Sequence, residues 1–233
     1  HNVGEILGVC CDGYGYGQDG EAWGGEVLLC NDEEFGFKRV AHLQRQPMTG
    51  GDLAAYYPLR MAAGILHGSI DLEPWLLQNK HQFPHGEQEV HLILQQLSKK
   101  ALVPGTTSCG RVLDAVSAVL DLCYERTYEG EPSMKLESAA MKGKDVLKLK
   151  PLIEGDTLNT AQLLLEIFEN KDKYSKADLA HSAHAYLAEG LARLAIEKAS
   201  EYGVRTIGFS GGVACNEILT LRMRRIVTAS GLQ

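Results

Sequence analysis

A chain of 233 residues fits one large domain or two small lobes sharing a cleft, and it can bury enough surface to need no disulfide or metal for its core. Hydrophobic residues at 45% and charged residues at 23% exclude a disordered tail, a collagen and a coiled coil. A net charge of -7 with no long basic run argues against direct nucleic-acid binding, which needs Lys and Arg to neutralise phosphates. The one dense basic cluster, Arg222, Arg224 and Arg225, reads as a solvated helix face. No apolar run approaches the roughly 18–20 residues of a membrane span. His1-Asn2-Val3-Gly4-Glu5 does not read as a signal peptide. Six cysteines (Cys10, Cys11, Cys30, Cys109, Cys123 and Cys215) contain no CxxC pair and predict reduced, buried thiols in a cytoplasmic protein.

In chain order, Glu5–Cys11 reads as a buried strand ended by a turn at Asp12-Gly13. Ala22–Asn31 and Phe35–Leu43 follow as strands, close enough to form an antiparallel meander. Helical periodicity marks 52–67, 87–99, 111–122, 159–169 and 176–202. Ser108 is a candidate N-cap, Pro132 opens another helix, and Gly203 stops the longest one. Thr206–Phe209 is a short strand, Ser210-Gly211-Gly212 a turn, and 217–230 the last helix. Strands followed by helices predict an α/β or α+β domain.

Three segments carry candidate chemistry. In Ile207–Asn216, a strand feeds Gly211-Gly212 and then a helix. Backbone without Cβ atoms beside a helix start suits a base or a phosphate. Asn216 offers an amide donor and acceptor to a ribose or base. A plain strand-to-helix turn explains the same residues. Asp12-Gly13-Tyr14-Gly15-Tyr16-Gly17 with Trp23-Gly24-Gly25-Glu26 places a hard carboxylate ligand beside a second glycine pair; the alternative is a hairpin. Thr107 and Ser108 bring hydroxyls to a helix start, with Asp114 placed to support the loop; simple capping is the alternative. His81 and His85 flank Pro84 and read as loop residues. His181 and His184 share a helix face, in a structural or cleft-edge role rather than a metal site. Cys109 has no identifiable His partner for a nucleophile's role.

Taken in order, Asp12-Gly13-x-Gly15-x-Gly17, Trp23–Glu26, Gly50-Gly51-Asp52 with Pro58 and Arg60, Thr107–Arg111 with Asp114–Ser117, Tyr128-Glu129-Gly130, and Ser210–Val213 with Asn216 span nearly the whole chain. Each is weak alone, but the ordered set resembles the HypF family of carbamoyltransferases that mature nickel–iron hydrogenases. It is similar to that family's C-terminal domain, which itself resembles the tRNA threonylcarbamoyl transferase TsaD. The resemblance implies an α/β, actin/sugar-kinase-like ATPase fold with a nucleotide held between two lobes. One lobe is 1–50 with 205–233 around a sheet; the other is 51–204, mainly helical. It implies transfer of a carbamoyl group from carbamoyl-adenylate to the C-terminal cysteine of HypE, in synthesis of the cyanide ligands of the hydrogenase. ATP and carbamoyl phosphate are the parent enzyme's substrates. In that role Gly24, Gly25, Gly211 and Gly212 approach the adenylate phosphate or base, with Glu26 in the same segment. Thr107, Ser108, Glu129, Gly130 and Asn216 lie near the ribose and adenine.

The family also implies a divalent metal, iron or zinc, beside the phosphate. Its histidine pair is expected before the first strand and its Asp-Gly-Gly ligand after residue 233. Asp12 is then the one metal ligand inside the chain, which reads as a fragment truncated at both ends. Such a fragment is expected to fold and bind nucleotide weakly without turnover. A TsaD-like role in tRNA modification shares this logic, although Trp23–Glu26 and Thr127–Glu131 favour the HypF branch. A non-catalytic scaffold for a partner protein also remains open. A sugar or acid kinase needs a catalytic Asp that is not identifiable here.

Overall fold

The computed structural model describes residues 5–31, 36–99 and 103–233. The first three strands are β1 (Ile6–Tyr16), β2 (Ala22–Cys30) and β3 (Phe37–Leu43), paired antiparallel as a meander. The expected start of the third strand at Phe35 lies outside the described residues. β1 does not end at Asp12-Gly13. It runs on to Tyr16, and the chain reverses over Gly17–Glu21, closed by Gly17 N–H donating to the Glu21 carbonyl at 2.9 Å. Asp19 organises that turn, accepting from Glu21 N–H at 3.0 Å and from the Trp23 indole at 2.9 Å.

A two-residue strand, β4 (Gln46–Pro47), leads into the helical region. The single helix expected over 52–67 is two: α1 (Leu53–Tyr56) and α2 (Pro58–Leu66). Pro58 causes the break. Its ring disfavours helical backbone at the residue before it, and Tyr57 sits at φ -120, ψ 88. Then come α3 (Leu72–Gln78), which the sequence periodicity did not announce, α4 (Gly86–Ser98), β5 (Gly105–Thr106) and α5 (Cys109–Val119). Ser108 caps α5, its hydroxyl accepting from Arg111 N–H at 3.1 Å. Next are α6 (Glu131–Ala140), opened by Gly130 at φ 77 and Pro132, the hairpin of β6 (Ile153–Glu154) and β7 (Thr157–Leu158), and α7 (Thr160–Asn170) capped by Asn159. The chain continues with α8 (Lys176–Tyr202), stopped by Gly203 at φ 70, β8 (Ile207–Ser210) and α9 (Glu217–Ala229), capped by Asn216.

The sheet is mixed. β8 pairs parallel to β1, β1 antiparallel to β2, and the other edge of β2 carries β3 and, at the start of β2, Thr106 of β5. β7 extends the sheet beyond β3. Alternate residues of β1 (Leu7, Val9 and Cys11) point inward with Val27 and Ala41 and are fully or almost fully buried. α8 packs on β1, β2 and β3 and joins them to α5, α6 and α9 in one core. Its buried run includes Ala180, Ala183, Leu187, Leu191 and Leu194. Burial of each such Leu contributes about 1.5–3 kcal/mol. Cys11 and Cys109 lie in this core, and the neighbouring Cys109 thiol together with burial raises the Cys11 pKa. No helix among the described residues is long and apolar enough to cross a membrane.

Candidate functional site

Between Cys11↔Gly25 and Gly15↔Trp23, β1 advances four residues while β2 advances two. The surplus is pushed out of the ladder. The bulged stretch, Asp12, Gly13 and Tyr14 opposite Gly24 alone, forms one wall of a cavity of about 710 Å³. A second wall comes from either end of α1, with Asp52 before it and Tyr56 as its last residue, and from the first turns of α5, with Gly110 and Arg111. The loop into α6 supplies Arg126, Glu129 and Gly130, and α6 itself supplies Ser133 and Glu137. The turn between β8 and α9 closes the cavity with Gly212, Val213 and Asn216.

The structure therefore brings Asp12, Glu129, Gly130, Gly212 and Asn216 to one cavity, from segments spread over 200 residues. The other proposed site residues stand behind it. A Cβ on Gly24 would collide with the Asp12 carbonyl, one on Gly25 with the Thr107 carbonyl, and one on Gly211 with the Cys11 carbonyl. A Cβ on Gly110 would sit 2.8 Å from Gly13 Cα. The two glycine pairs do converge, but Gly24, Gly25 and Gly211 let backbone meet backbone around the β1 bulge, and only Gly212 reaches the cavity. Glu26 is buried. One carboxylate oxygen accepts from Gly24 N–H at 2.6 Å and Gly25 N–H at 2.7 Å; the other accepts from the Thr107 hydroxyl and from Arg39 at 3.1 Å. Ser108 donates to the carbonyls of Asp12 at 2.6 Å and Gly13 at 2.9 Å. Thr107, Ser108 and Glu26 thus hold the bulge in place from behind.

Arg111, on the cavity wall, forms a buried pair with Asp114 behind it, Nη2 to Oδ2 at 3.0 Å. Burial raises the Asp114 pKa, opposed by Arg111, by the Ser133 hydroxyl donating at 2.6 Å and by Arg126. Asp114 thus ties α5 to α6 through Ser133 and does not contact the Thr107–Ser108 loop that its spacing suggested it would support. Arg126 stacks on the Tyr56 ring at 4.5 Å, and its backbone N–H donates to the Tyr56 carbonyl at 2.8 Å. Its guanidinium makes no ion pair among the described residues. Glu131 opens α6, and Lys135 with the N–H and hydroxyl of Thr127 holds its carboxyl at about 2. Asn216 does not offer its whole amide to a ligand. Its oxygen accepts from Leu219 N–H at 3.0 Å, and its nitrogen lies 3.0 Å from Nε2 of His184.

Sequence reasoning did not single out Tyr56, Arg126, Ser133 or Glu137. Ser133 and Glu137 lie four apart on α6 and share a face, a signal that becomes usable once that helix is placed. Asp12 stands alone as a potential metal ligand: among the described residues no group of three His, Cys, Asp or Glu side chains gathers to hold an ion. Asp12 alone does not make a metal centre within the described residues of this chain. His181 and His184 do not pair with a third ligand, and Cys109 is fully buried in the core.

The chain resembles known proteins over almost its whole length. The model of the family described as "Carbamoyltransferase, Kae1-like Domain, second subdomain" matches residues 8–233. The probable carbamoyltransferase HypF of Methanocaldococcus jannaschii is 45% identical over 213 residues, covering 91% of this chain and 27% of that protein. The crystal structure of T. kodakarensis HypF superposes with a TM-score of 0.89 at 41% identity, over 98% of this chain and 31% of that one. Full-length HypF in its phosphate- and nucleotide-bound form gives 0.86 at 28% identity, over 98% and 36%. The chain thus spans about a third or less of the length of these relatives. The α/β fold expected from the ordered motifs is the fold observed, and the chain belongs to the second subdomain of the Kae1-like domain of the HypF carbamoyltransferases.

Proposed function

We propose that this chain is the nucleotide-holding part of an enzyme that moves a carbamoyl group from carbamoyl-adenylate to the C-terminal cysteine of a HypE-like protein, toward the cyanide ligands of nickel–iron hydrogenase. ATP and carbamoyl phosphate are the substrates of the whole enzyme. In the transfer, the thiolate sulfur bonds to the carbamoyl carbon, the bond from that carbon to the phosphate oxygen breaks, and AMP leaves with the electron pair. The observation that carries the reading is the convergence of Asp12, Glu129, Gly130, Gly212 and Asn216 on one cavity of nucleotide size.

Within it, Gly130 and Gly212 present backbone without a side chain, which suits close approach of a flat base or a phosphate. Asn216 and Glu129 offer polar groups to ribose hydroxyls or the base edge. Arg126 and Arg111 supply positive charge on the same walls as Asp52 and Glu137. No step is assigned to a metal. No residue of this chain is assigned as a nucleophile, because the attacking sulfur belongs to the acceptor.

Calorimetric titration of AMP and ATP into the chain tests the reading. Gly212→Val places branched carbons on the cavity wall beside Asp12. It is expected to weaken AMP by about 10-fold or more while the variant still unfolds cooperatively. Unchanged AMP affinity in a folded Gly212→Val variant contradicts the assignment. So does a wild-type chain that ignores both nucleotides.

A further inference from the structure

We infer that His184 is a positioning residue: from α8 it locks the Asn216 side-chain amide, so that one N–H and one oxygen lone pair are left for a ligand edge that pairs an acceptor with a donor. The inference rests on the nucleotide reading above and names how that ligand is read.

Its basis is a chain of hydrogen bonds in which each donor is determined by the next. His184 is fully buried. Its Nδ1 lies 2.7 Å from the Ala180 carbonyl, which can only accept, so Nδ1 carries the proton. Burial keeps the ring neutral, with its pKa lowered to about 4. Nε2 is then a bare lone pair, and the Asn216 atom 3.0 Å away must be the amide nitrogen, donating. The other end of the amide gives the same orientation, because Oδ1 accepts the Leu219 N–H and caps α9. Two constraints from two helices thus fix one amide. Flipping it would press its oxygen against the Nε2 lone pair and turn its nitrogen toward the Leu219 N–H. Asn216 is 6% exposed and borders the cavity. What it has left to offer there is its second N–H and the second lone pair of its oxygen. Two parts of a nucleoside match that pattern: the amino and ring-nitrogen edge of adenine, and the paired hydroxyls of ribose.

The test uses adenosine, inosine and 2′-deoxyadenosine as probes in calorimetry on the 233-residue chain, together with nitrogen NMR of the His184 ring. His184→Phe fills the ring's space but accepts nothing. It is expected to lose about 10-fold in adenosine affinity, the effect of one unmade buried hydrogen bond, while still melting cooperatively. His184→Gln places an acceptor where Nε2 stood, and it is expected to recover affinity to within about 3-fold of wild type. The wild-type spectrum should show the proton on Nδ1, a signature that a space-filling role would not require.

A weaker 2′-deoxyadenosine puts the amide on the ribose, and a weaker inosine puts it on the base. Equal affinity for all three nucleosides overturns the inference. A folded Phe variant that binds adenosine as wild type does also overturns it. So does a proton found on Nε2, which decides the matter even if the Phe variant fails to fold. A wild-type chain that binds no adenosine overturns the nucleotide reading itself, whereas binding indifferent to His184 overturns only the role given to this residue.

Discussion

The two sides of the β1 bulge are built on opposite principles. Behind it, polar groups are closed in and fully used: the Glu26 carboxylate has four donors, and the Ser108 hydroxyl donates to two carbonyls and accepts one N–H. In front, polar groups are left with capacity. Glu129 is exposed, Arg126 has an aromatic ring beneath it but no ion pair among the described residues, and Asn216 spends half of its amide. The difference separates residues that make the site from residues that meet a ligand, although both kinds lie in the same short motifs. Gly211 and Gly212 are neighbours in sequence and fall on opposite sides of that line.

The glycine pair gives the sharpest way to break the comparison. Gly211 sits at φ 93, ψ 171, a region that only glycine occupies comfortably, and a Cβ there would strike the Cys11 carbonyl. Gly211→Ala is therefore expected to cost about 3–5 kcal/mol, backbone strain and overpacking together, or to prevent folding. At Gly212 the nearest atom to a Cβ is the end of the Asp12 side chain at 3.2 Å, which can move aside. Gly212→Ala should change stability by less than about 1 kcal/mol. Urea midpoints of the two variants decide this. Equal losses would mean that the two glycines do the same job.

The carboxylates give the next contrast. Glu26→Gln replaces an acceptor of four hydrogen bonds by an amide that turns an NH₂ group toward donors. A loss of about 2–3 kcal/mol is expected. Glu129→Gln, on the exposed cavity rim, should leave stability within about 0.5 kcal/mol. Thermal melts of both variants measure the pair. A neutral Glu26→Gln would show that the cluster behind the bulge is not what holds it.

These contrasts also explain what could be read from the sequence. The meander, the cap at Ser108 and the stop at Gly203 are local, and apolar alternation or one residue's chemistry announces them. The break before Pro58 was equally local, but the apolar face runs across it and hid it. The continuation of β1 past Asp12-Gly13 was not legible, because Asp-Gly is also a turn signal. What overrides it is pairing with β2 and the Ser108 hydroxyl from 96 residues away. Glu26 invites the same misreading: a carboxylate beside two glycines resembles a ligand until Thr107 and Arg39 arrive from elsewhere in the chain. The five candidates that do reach the cavity gave no local sign that they differed from those behind it.

The smallest expected effect concerns pH and tests whether the front of the site depends on a buried neutral ring. His184 has an ordinary value of 6.5 and is held at about 4 by burial, with its backbone hydrogen bond opposing the shift. Between these values the unfolded chain binds a proton that the folded chain refuses. The contribution to stability is therefore whole above about pH 6.5, falls as pH drops, and is gone by about pH 4, a total on the order of 3 kcal/mol. Glu131 works in the same direction in a lower window. Its carboxyl at about 2 is stabilising above its ordinary 4.5 and loses that benefit as acid protonates it. The two are separable because His184→Gln removes only the upper window. Urea midpoints of wild type should fall from pH 6.5 to pH 4 more steeply than those of His184→Gln. Below that the two curves should run parallel. Parallel curves throughout would mean that the ring takes up its proton in the folded chain as readily as in the unfolded one. Nε2 would then hold a proton, and Asn216 would have to turn its oxygen toward it, losing the cap on α9 that Leu219 completes.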